Sequence, residues 1–246
     1  LIARTLGADV ITVPLNPDYT FDCEALEERF LADGDLLIVC SPNNPTGCGY
    51  PVERIAALLE RTSKPVVIDE AYFEFSGETA VGFLEKYDNL IVLRTFSKAF
   101  SLAGLRVGYG LMDPSLAREV DKAKLPYNIN FFSIAAAIKL LENREELRKT
   151  VRRIIAEREP MLAEMNGIEG VTAYPSKANF ILFETPRNPK EIFTKLLSDG
   201  LLVRNVSSYP MLGNALRVTV STPGDNRRFI ASLRRIMTEL KRENNT

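Results

Sequence analysis

Histidine is absent from the 246-residue chain. That omission excludes Ser-His-Asp and Cys-His catalysis and removes the commonest metal ligand. Any general base must be Lys, Asp, Glu, Tyr or Cys. Cysteine is scarce: Cys23, Cys40 and Cys48 have neither metal-ligand nor redox-pair spacing. No metal site is expected, and an odd count without a secretion signal points to a reducing, cytoplasmic compartment. No apolar run approaches the about eighteen residues of a membrane span, so no membrane association is expected. Neither sign of charge dominates, with 31 Lys and Arg against 32 Asp and Glu; a nucleic-acid surface, which needs a basic face, is not expected. The opening "LIARTLGADV" lacks a charged leader and a cleavage motif. It reads as the tail of a helix closed by Gly7 and running into a strand. The earlier turns would precede Leu1, and the chain is expected to be a fragment.

What is present is ordinary globular material, 46% hydrophobic and 26% charged. "GADVITVPL" reads as a short strand. "TFDCEALEERFL" has apolar residues at helical spacing with Asp22 as its cap. "DLLIVCS", "KPVVIDEAY" and "NLIVLRTFS" are apolar runs of the kind that form strands buried on both faces. "PVERIAALLERTS" is an amphipathic helix opening on Pro51, and "GLRVGYGLM" is a further short strand. Strands alternating with helices predict an α/β fold with a mostly parallel, doubly wound sheet. "PSLAREVDKAKLP" is a helix. A largely helical stretch follows from Ser133 to about Met165, broken or kinked at Pro160. The pattern then changes: strands in "VTAYPSKANFILFET", a helix in "NPKEIFTKLLSDG", strands in "LLVRNV" and "ALRVTVS", and a closing helix in "DNRRFIASLRRIMTELKREN". The predicted division is a large unit over 1–145 and a smaller C-terminal α+β unit over 146–246.

In doubly wound sheets ligands sit at the carboxyl ends of the strands, and polar residues gather there. Asn43 and Asn44 follow one strand, Asp69 ends the next, and Thr95, Ser97 and Lys98 follow a third. In a partly buried, water-poor site Lys98 would lose its proton readily and attack a carbonyl to give a Schiff base. Thr95, Ser97 and Arg106 offer two hydroxyls and a guanidinium, a set suited to phosphate. The plainer reading is a snorkelling loop lysine and an arginine paired with a carboxylate, which for an isolated lysine is the commoner case. Asp69 at the end of an apolar strand needs a cationic partner. A pyridinium N–H, a structural salt bridge and a helix cap all satisfy that need. "SPNNPTG" is a sufficient turn on composition alone, but Asn44 could donate to a ring oxygen and Tyr72 could give it a second hydrogen bond. Otherwise Tyr72 is a half-buried tyrosine with a wet hydroxyl. Taken as a set, these groups describe one cofactor, pyridoxal phosphate, an electron sink for a carbanion at the substrate Cα.

"SPNNPTG", "VIDEAYFEF" and "TFSKAFSLAGLRVGY" resemble the motif series of the fold-type I aminotransferases, and "FSKAFSLAGLRVGY" followed by "KLPYNIN" resembles the histidinol-phosphate aminotransferase family. The resemblance covers essentially the whole chain, with its motifs in the family's order. It implies pyridoxal 5'-phosphate bound covalently to Lys98, Asp69 at the pyridine nitrogen, Asn44 and Tyr72 at the ring oxygen, and Thr95, Ser97 and Arg106 at the phosphate. It implies Arg217 at the carboxylate of amino-acid substrates, Arg204 at the phosphate of histidinol phosphate, and Asn179 facing the site. It implies a homodimer acting on histidinol phosphate, 2-oxoglutarate and glutamate in histidine biosynthesis. An aromatic aminotransferase and a threonine-phosphate decarboxylase would keep nearly the same residues, and an inactive truncated remnant would keep the fold. Two departures stand out. Family members carry about a hundred more N-terminal residues, including an aromatic ring stacked on the pyridine and a tyrosine lent across the dimer. They also often have a glutamine near Ile134.

Overall fold

The computed structural model describes residues 2–243. A short α1 (Ile2–Thr5) comes first, then α2 (Cys23–Asp33), whose first turn is capped by Asp22 accepting from the Ala25 N–H at 3.1 Å. The first sheet contains β1 (Leu37–Cys40), β2 (Val66–Asp69), β3 (Leu90–Thr95) and β4 (Gly108–Met112), side by side in that order. α3 (Val52–Leu59) crosses from β1 to β2, and α4 (Phe73–Ser76) lies between β2 and β3. β1, β2 and β3 are parallel. β4 returns antiparallel to β3 because residues 96–107 form a loop closed by Phe96 N–H to Val107 O, not a helical crossover.

Alternation along the strands sends Leu37, Val39, Val66, Ile68, Leu90 and Val92 into one core with Phe30, Ile55 and Leu58 from α2 and α3. Each such side chain contributes about 1.5–3 kcal/mol through burial. The opposite face carries Ile38, 61% exposed, and Leu93, 37% exposed. The expected burial on both faces holds for β2, whose Val66, Val67 and Ile68 are all buried, but not for β1 and β3.

α5 (Pro114–Ala123) opens on Pro114 with Asp113 as its cap. α6 (Phe131–Glu142) is capped by Asn130 and held to the β3–β4 loop by Ser133 Oγ donating to Leu105 O at 2.8 Å. α7 (Arg144–Asn166) follows after a break at Asn143. The break expected at Pro160 is therefore displaced: α7 runs through that proline, whose neighbours Arg158 and Met161 are both packed.

The second sheet is antiparallel, ordered β5 (Thr172–Ala173), β6 (Phe180–Glu184), β8 (Ala215–Thr219), β7 (Arg204–Asn205). With α7, α8 (Pro189–Ser198) and α9 (Pro223–Glu243) it encloses a core of Met165, Ile181, Phe183, Leu196, Leu216 and Ile236, among others. The period of two in β6 and β8 leaves Phe180, Leu182 and Arg217 on the face away from those helices. A third cluster, including Tyr72, Phe75, Ala99, Val151, Ala178 and Phe180, joins the two sheets. The predicted strand at "GADVITVPL" does not form. Residues 8–15 join no ladder and are mostly exposed; an apolar run becomes a strand only beside a partner edge. Leu15 and Tyr19 instead pack on the second sheet, where Tyr19 donates its hydroxyl to Glu184 at 2.8 Å.

Candidate active site

The parallel register places Cys40, Asp69 and Leu93 in one row at the carboxyl ends of β1, β2 and β3. Asp69 takes the Ala71 N–H at 3.0 Å and makes no ion pair among the described residues. Lys98 follows β3 by three residues, and its Nζ lies 5.1 Å from the centroid of the Tyr72 ring. It too has no carboxylate partner among the described residues. Both charges act on the Cys40 thiol, which burial, more than Asp69, pushes up to about 11, so this cysteine stays protonated. Asp69 and Lys98 thus both lie near Cys40 and make no ion pair with each other.

Two devices fix those strand ends. Glu70, next to Asp69, is 2% exposed and accepts from Arg94 of β3 at 2.9 and 3.1 Å, from Thr79 Oγ1 at 2.8 Å and from the Ala80 N–H at 2.6 Å. The Arg94 guanidinium stacks 3.4 Å from the Phe73 ring centroid. This buried pair locks β2 to β3, and so Asp69 to the strand that carries Lys98.

The "SPNNPTG" turn is held by Gly47 N–H to Asn43 O at 2.8 Å and Asn43 N–H to Cys48 O at 2.7 Å, with cis peptides at Ser41–Pro42 and Asn44–Pro45. Gly47 has φ +82°, and its carbonyl accepts from Lys177 N–H at 2.8 Å, docking the turn on the loop that leads into β6. That docking aims Asn44 at Arg217, whose Nη1 donates to Asn44 Oδ1 at 2.5 Å. The Arg217 guanidinium also sits 4.6 Å from the Phe180 ring centroid, and Phe180 meets Tyr72 edge to face at 5.2 Å. Burial pulls the Arg217 pKa down, and nearby Arg204 adds to the effect. Its Nε is buried without a hydrogen-bond partner.

Asn44, Asp69, Tyr72, Lys98 and Arg217 therefore converge from both sheets. The water-poor surroundings expected for Lys98 are not supplied by the described residues: Lys98, Asn44 and Arg106 are exposed. Thr95 spends its hydroxyl on the turn, accepting from Ser97 N–H at 3.0 Å and donating to Val107 O at 3.3 Å. Arg106, at φ +57°, donates to Ala103 O at 3.0 Å, while the Ser97 hydroxyl has no partner among the described residues. Arg204 pairs in register with Arg217, and both border a cavity of about 400 Å³. Asn179 lends its carbonyl to Val220 N–H at 2.9 Å, but its side chain makes no hydrogen bond among the described residues. No group of residues that could hold a metal ion occurs among the described residues.

Sequence reading missed Phe180 and the Arg94–Glu70 pair. Alternation through "FILFE" could have put Phe180 on Arg217's face; nothing local marks Arg94 and Glu70 as partners, because their sequence separation hides a one-strand spacing.

The family model for class I and II aminotransferases matches residues 1–233. The histidinol-phosphate aminotransferase of Caldanaerobacter subterraneus subsp. tengcongensis is 41% identical over 96% of this chain and 67% of its own length; that of Chlorobaculum parvum is 38% identical over 95% and 66%. The chain thus spans about two thirds of the length of the curated relatives it matches. Among solved structures, the histidinol-phosphate aminotransferase of Clostridium acetobutylicum superposes with TM-score 0.90 at 26% identity, over 96% of this chain and 74% of that one. The Sinorhizobium meliloti enzyme, in complex with pyridoxal-5'-phosphate, gives TM-score 0.85 at 27% identity, over 97% and 67%. The chain belongs to the class I and II aminotransferase family, with its fold-type I architecture.

Proposed function

We propose that this chain is the greater part of a pyridoxal-phosphate-dependent transaminase that interconverts L-histidinol phosphate and 2-oxoglutarate with imidazole acetol phosphate and glutamate, in histidine biosynthesis. The observation that carries this reading is the convergence of unpaired Lys98 and Asp69 with Asn44, Tyr72 and Arg217.

The residues fit the cofactor. An anion and a cation that both lie near Cys40 without pairing suit a ring with a basic nitrogen and an aldehyde. Asp69 would hold the pyridine nitrogen protonated, since a carboxylate favours the charged form beside it. Asn44 and Tyr72 would donate to the ring oxygen. Ser97 and Arg106, with Thr95 shaping their turn, would hold the phosphate, where charge-assisted hydrogen bonds are strong. When bound, the cofactor supplies an electron sink for the carbanion at the substrate Cα.

The chain's own groups do the rest. Arg217 takes the substrate carboxylate in a bidentate grip, which also satisfies the buried Nε. Arg204, beside it, meets the phosphate of histidinol phosphate, and Asn179 borders the same face. Lys98 removes a proton from the substrate Cα and returns one, acting as a general base without histidine. The same reading divides the chain at about residue 145 into a cofactor-holding unit and a smaller C-terminal unit. It also makes the protein a cytoplasmic homodimer.

With added pyridoxal phosphate, the protein should show a near-visible absorbance band that borohydride bleaches and that Lys98→Ala abolishes. Transamination should then run with histidinol phosphate and 2-oxoglutarate. A folded sample without the band, or activity with phenylpyruvate but not with the imidazole phosphate, would reject the assignment.

A further inference from the structure

Arg158 of α7 is a buried cation whose ion pair with an exposed acid is long. It is 8% exposed, and the nearest acid, Glu159, stands 3.6 Å from its Nε. Nη1 donates to two backbone carbonyls, Phe75 O at 3.2 Å and Ala178 O at 3.0 Å. Nε finds no hydrogen-bond partner, and burial pulls the pKa down. An apolar side chain of similar length would fill this volume without desolvating a charge. What the arginine adds is a bond to both sides at once. Phe75 follows Tyr72 by three residues on the first unit; Ala178 precedes Phe180 by two on the second.

The rings of Tyr72 and Phe180 form the middle of a short ladder of groups. Lys98 Nζ lies 5.1 Å from the Tyr72 centroid, Tyr72 and Phe180 meet at 5.2 Å, and Arg217 lies 4.6 Å from the Phe180 centroid. Cation, ring, ring and cation stand in that order. The separation of the amine from the guanidinium runs through the ring contact that Arg158 staples from behind.

We propose that Arg158 is a positioning residue: by binding the Phe75 and Ala178 carbonyls together it sets the spacing between Lys98 and Arg217. A substrate whose carboxylate Arg217 holds then presents its Cα to Lys98. The inference rests on the proposed function and deepens it for one class of ligand, α-amino acids and their 2-oxo acids.

Arg158→Met removes both bonds while keeping the bulk. Arg158→Lys keeps the charge, but its nitrogen stops one bond short, where the guanidinium carbon stood. Three readouts apply: steady-state kinetics with glutamate, the affinity for pyridoxal phosphate from its absorbance band, and amide hydrogen exchange at residues 72–76 and 178–180. Both variants should raise the glutamate KM about tenfold and lower kcat/KM by about a hundredfold, the scale of an ångström-sized misplacement. Cofactor affinity should stay within about twofold, because Asp69 and Lys98 keep their strand ends. Arg158→Lys buries a charge with neither bond made and should be no more stable than Arg158→Met, and in Arg158→Met both segments should lose protection together. The inference is overturned if lysine restores KM, if KM is unchanged in either variant, or if only one segment loses protection. Should Arg158→Lys fail to fold, Arg158→Met carries the same comparison. A wild-type chain without transaminase activity would reject the proposed function instead, and the exchange data would still decide whether Arg158 couples the two segments.

Discussion

Replacing Gly47 with alanine should destabilise the protein by about 2–4 kcal/mol, from two separable sources. The first is conformational: Gly47 sits at φ +82°, where a Cβ costs about 1 kcal/mol. The second is steric. A Cβ at Gly47 would stand 2.7 Å from Ser176 Cβ and 3.1 Å from Ser176 Cα, and forcing atoms into filled space costs about 1–3 kcal/mol. Urea denaturation of Gly47→Ala, Ser176→Gly and the double variant separates them. Ser176→Gly alone loses the bond from Ala178 N–H to Ser176 Oγ, worth about 1 kcal/mol. In the double variant the clash with the Ser176 side chain is relieved while the approach to its Cα stays, so the sum of the single effects should exceed the measured loss by about 1–3 kcal/mol. The φ penalty should remain. A Gly47→Ala protein within about 0.5 kcal/mol of the wild type, below the range for a named packing defect, would refute the docking of the turn described above. So would a cycle with no coupling.

Arg94→Met leaves the Glu70 carboxylate buried without its cation and should cost about 3–5 kcal/mol; adding Glu70→Gln, which neutralises the orphaned charge, should recover much of it by the same denaturation assay. Burial pushes the Glu74 carboxyl up to about 7 from 4.5. The folded state therefore holds that proton more tightly than the unfolded chain. Its stabilisation is complete below the unfolded value and is lost as pH rises through about 7. Glu74→Gln should remove this loss, so the variant's melting temperature should gain on the wild type between about pH 5 and pH 8; a constant difference would refute the assignment. Arg217→Lys gives up a planar fork for a point charge. It should raise the glutamate KM by about a hundredfold, the loss of about 2–3 kcal/mol that a charged hydrogen bond supplies, while the cofactor absorbance band persists.

The first sheet and most of the candidate site at its strand ends were legible because their signals are local. Apolar runs mark β1, β2 and β3, and polar residues at their carboxyl ends mark Asn44, Asp69 and Lys98. Arg217 came from the family resemblance, and strand alternation explains why it lies on the same face as Phe180 and Leu182. Other features depend on partners far away in the chain. Residues 8–15 have strand composition but no neighbour to pair with. Pro160 carries the signature of a helix break, yet packing on both sides holds α7 together, and the interruption falls at Asn143. Arg158 has nothing in its own segment to mark it, because both carbonyls it binds come from elsewhere in the chain.

α7 has 23 residues, about 34 Å at 1.5 Å per residue. Val151 lies in the cluster shared by the two sheets, and Met161 and Met165 lie under the second. Between them Pro160 supplies no N–H, so the carbonyl of Ala156 lacks its donor from four residues on. In mechanical terms α7 is a lever with one missing rung beside its fulcrum. Bending of α7 is directed to that rung, two residues beyond Arg158, and the arginine's hold on both Phe75 and Ala178 opposes a tilt of the second sheet.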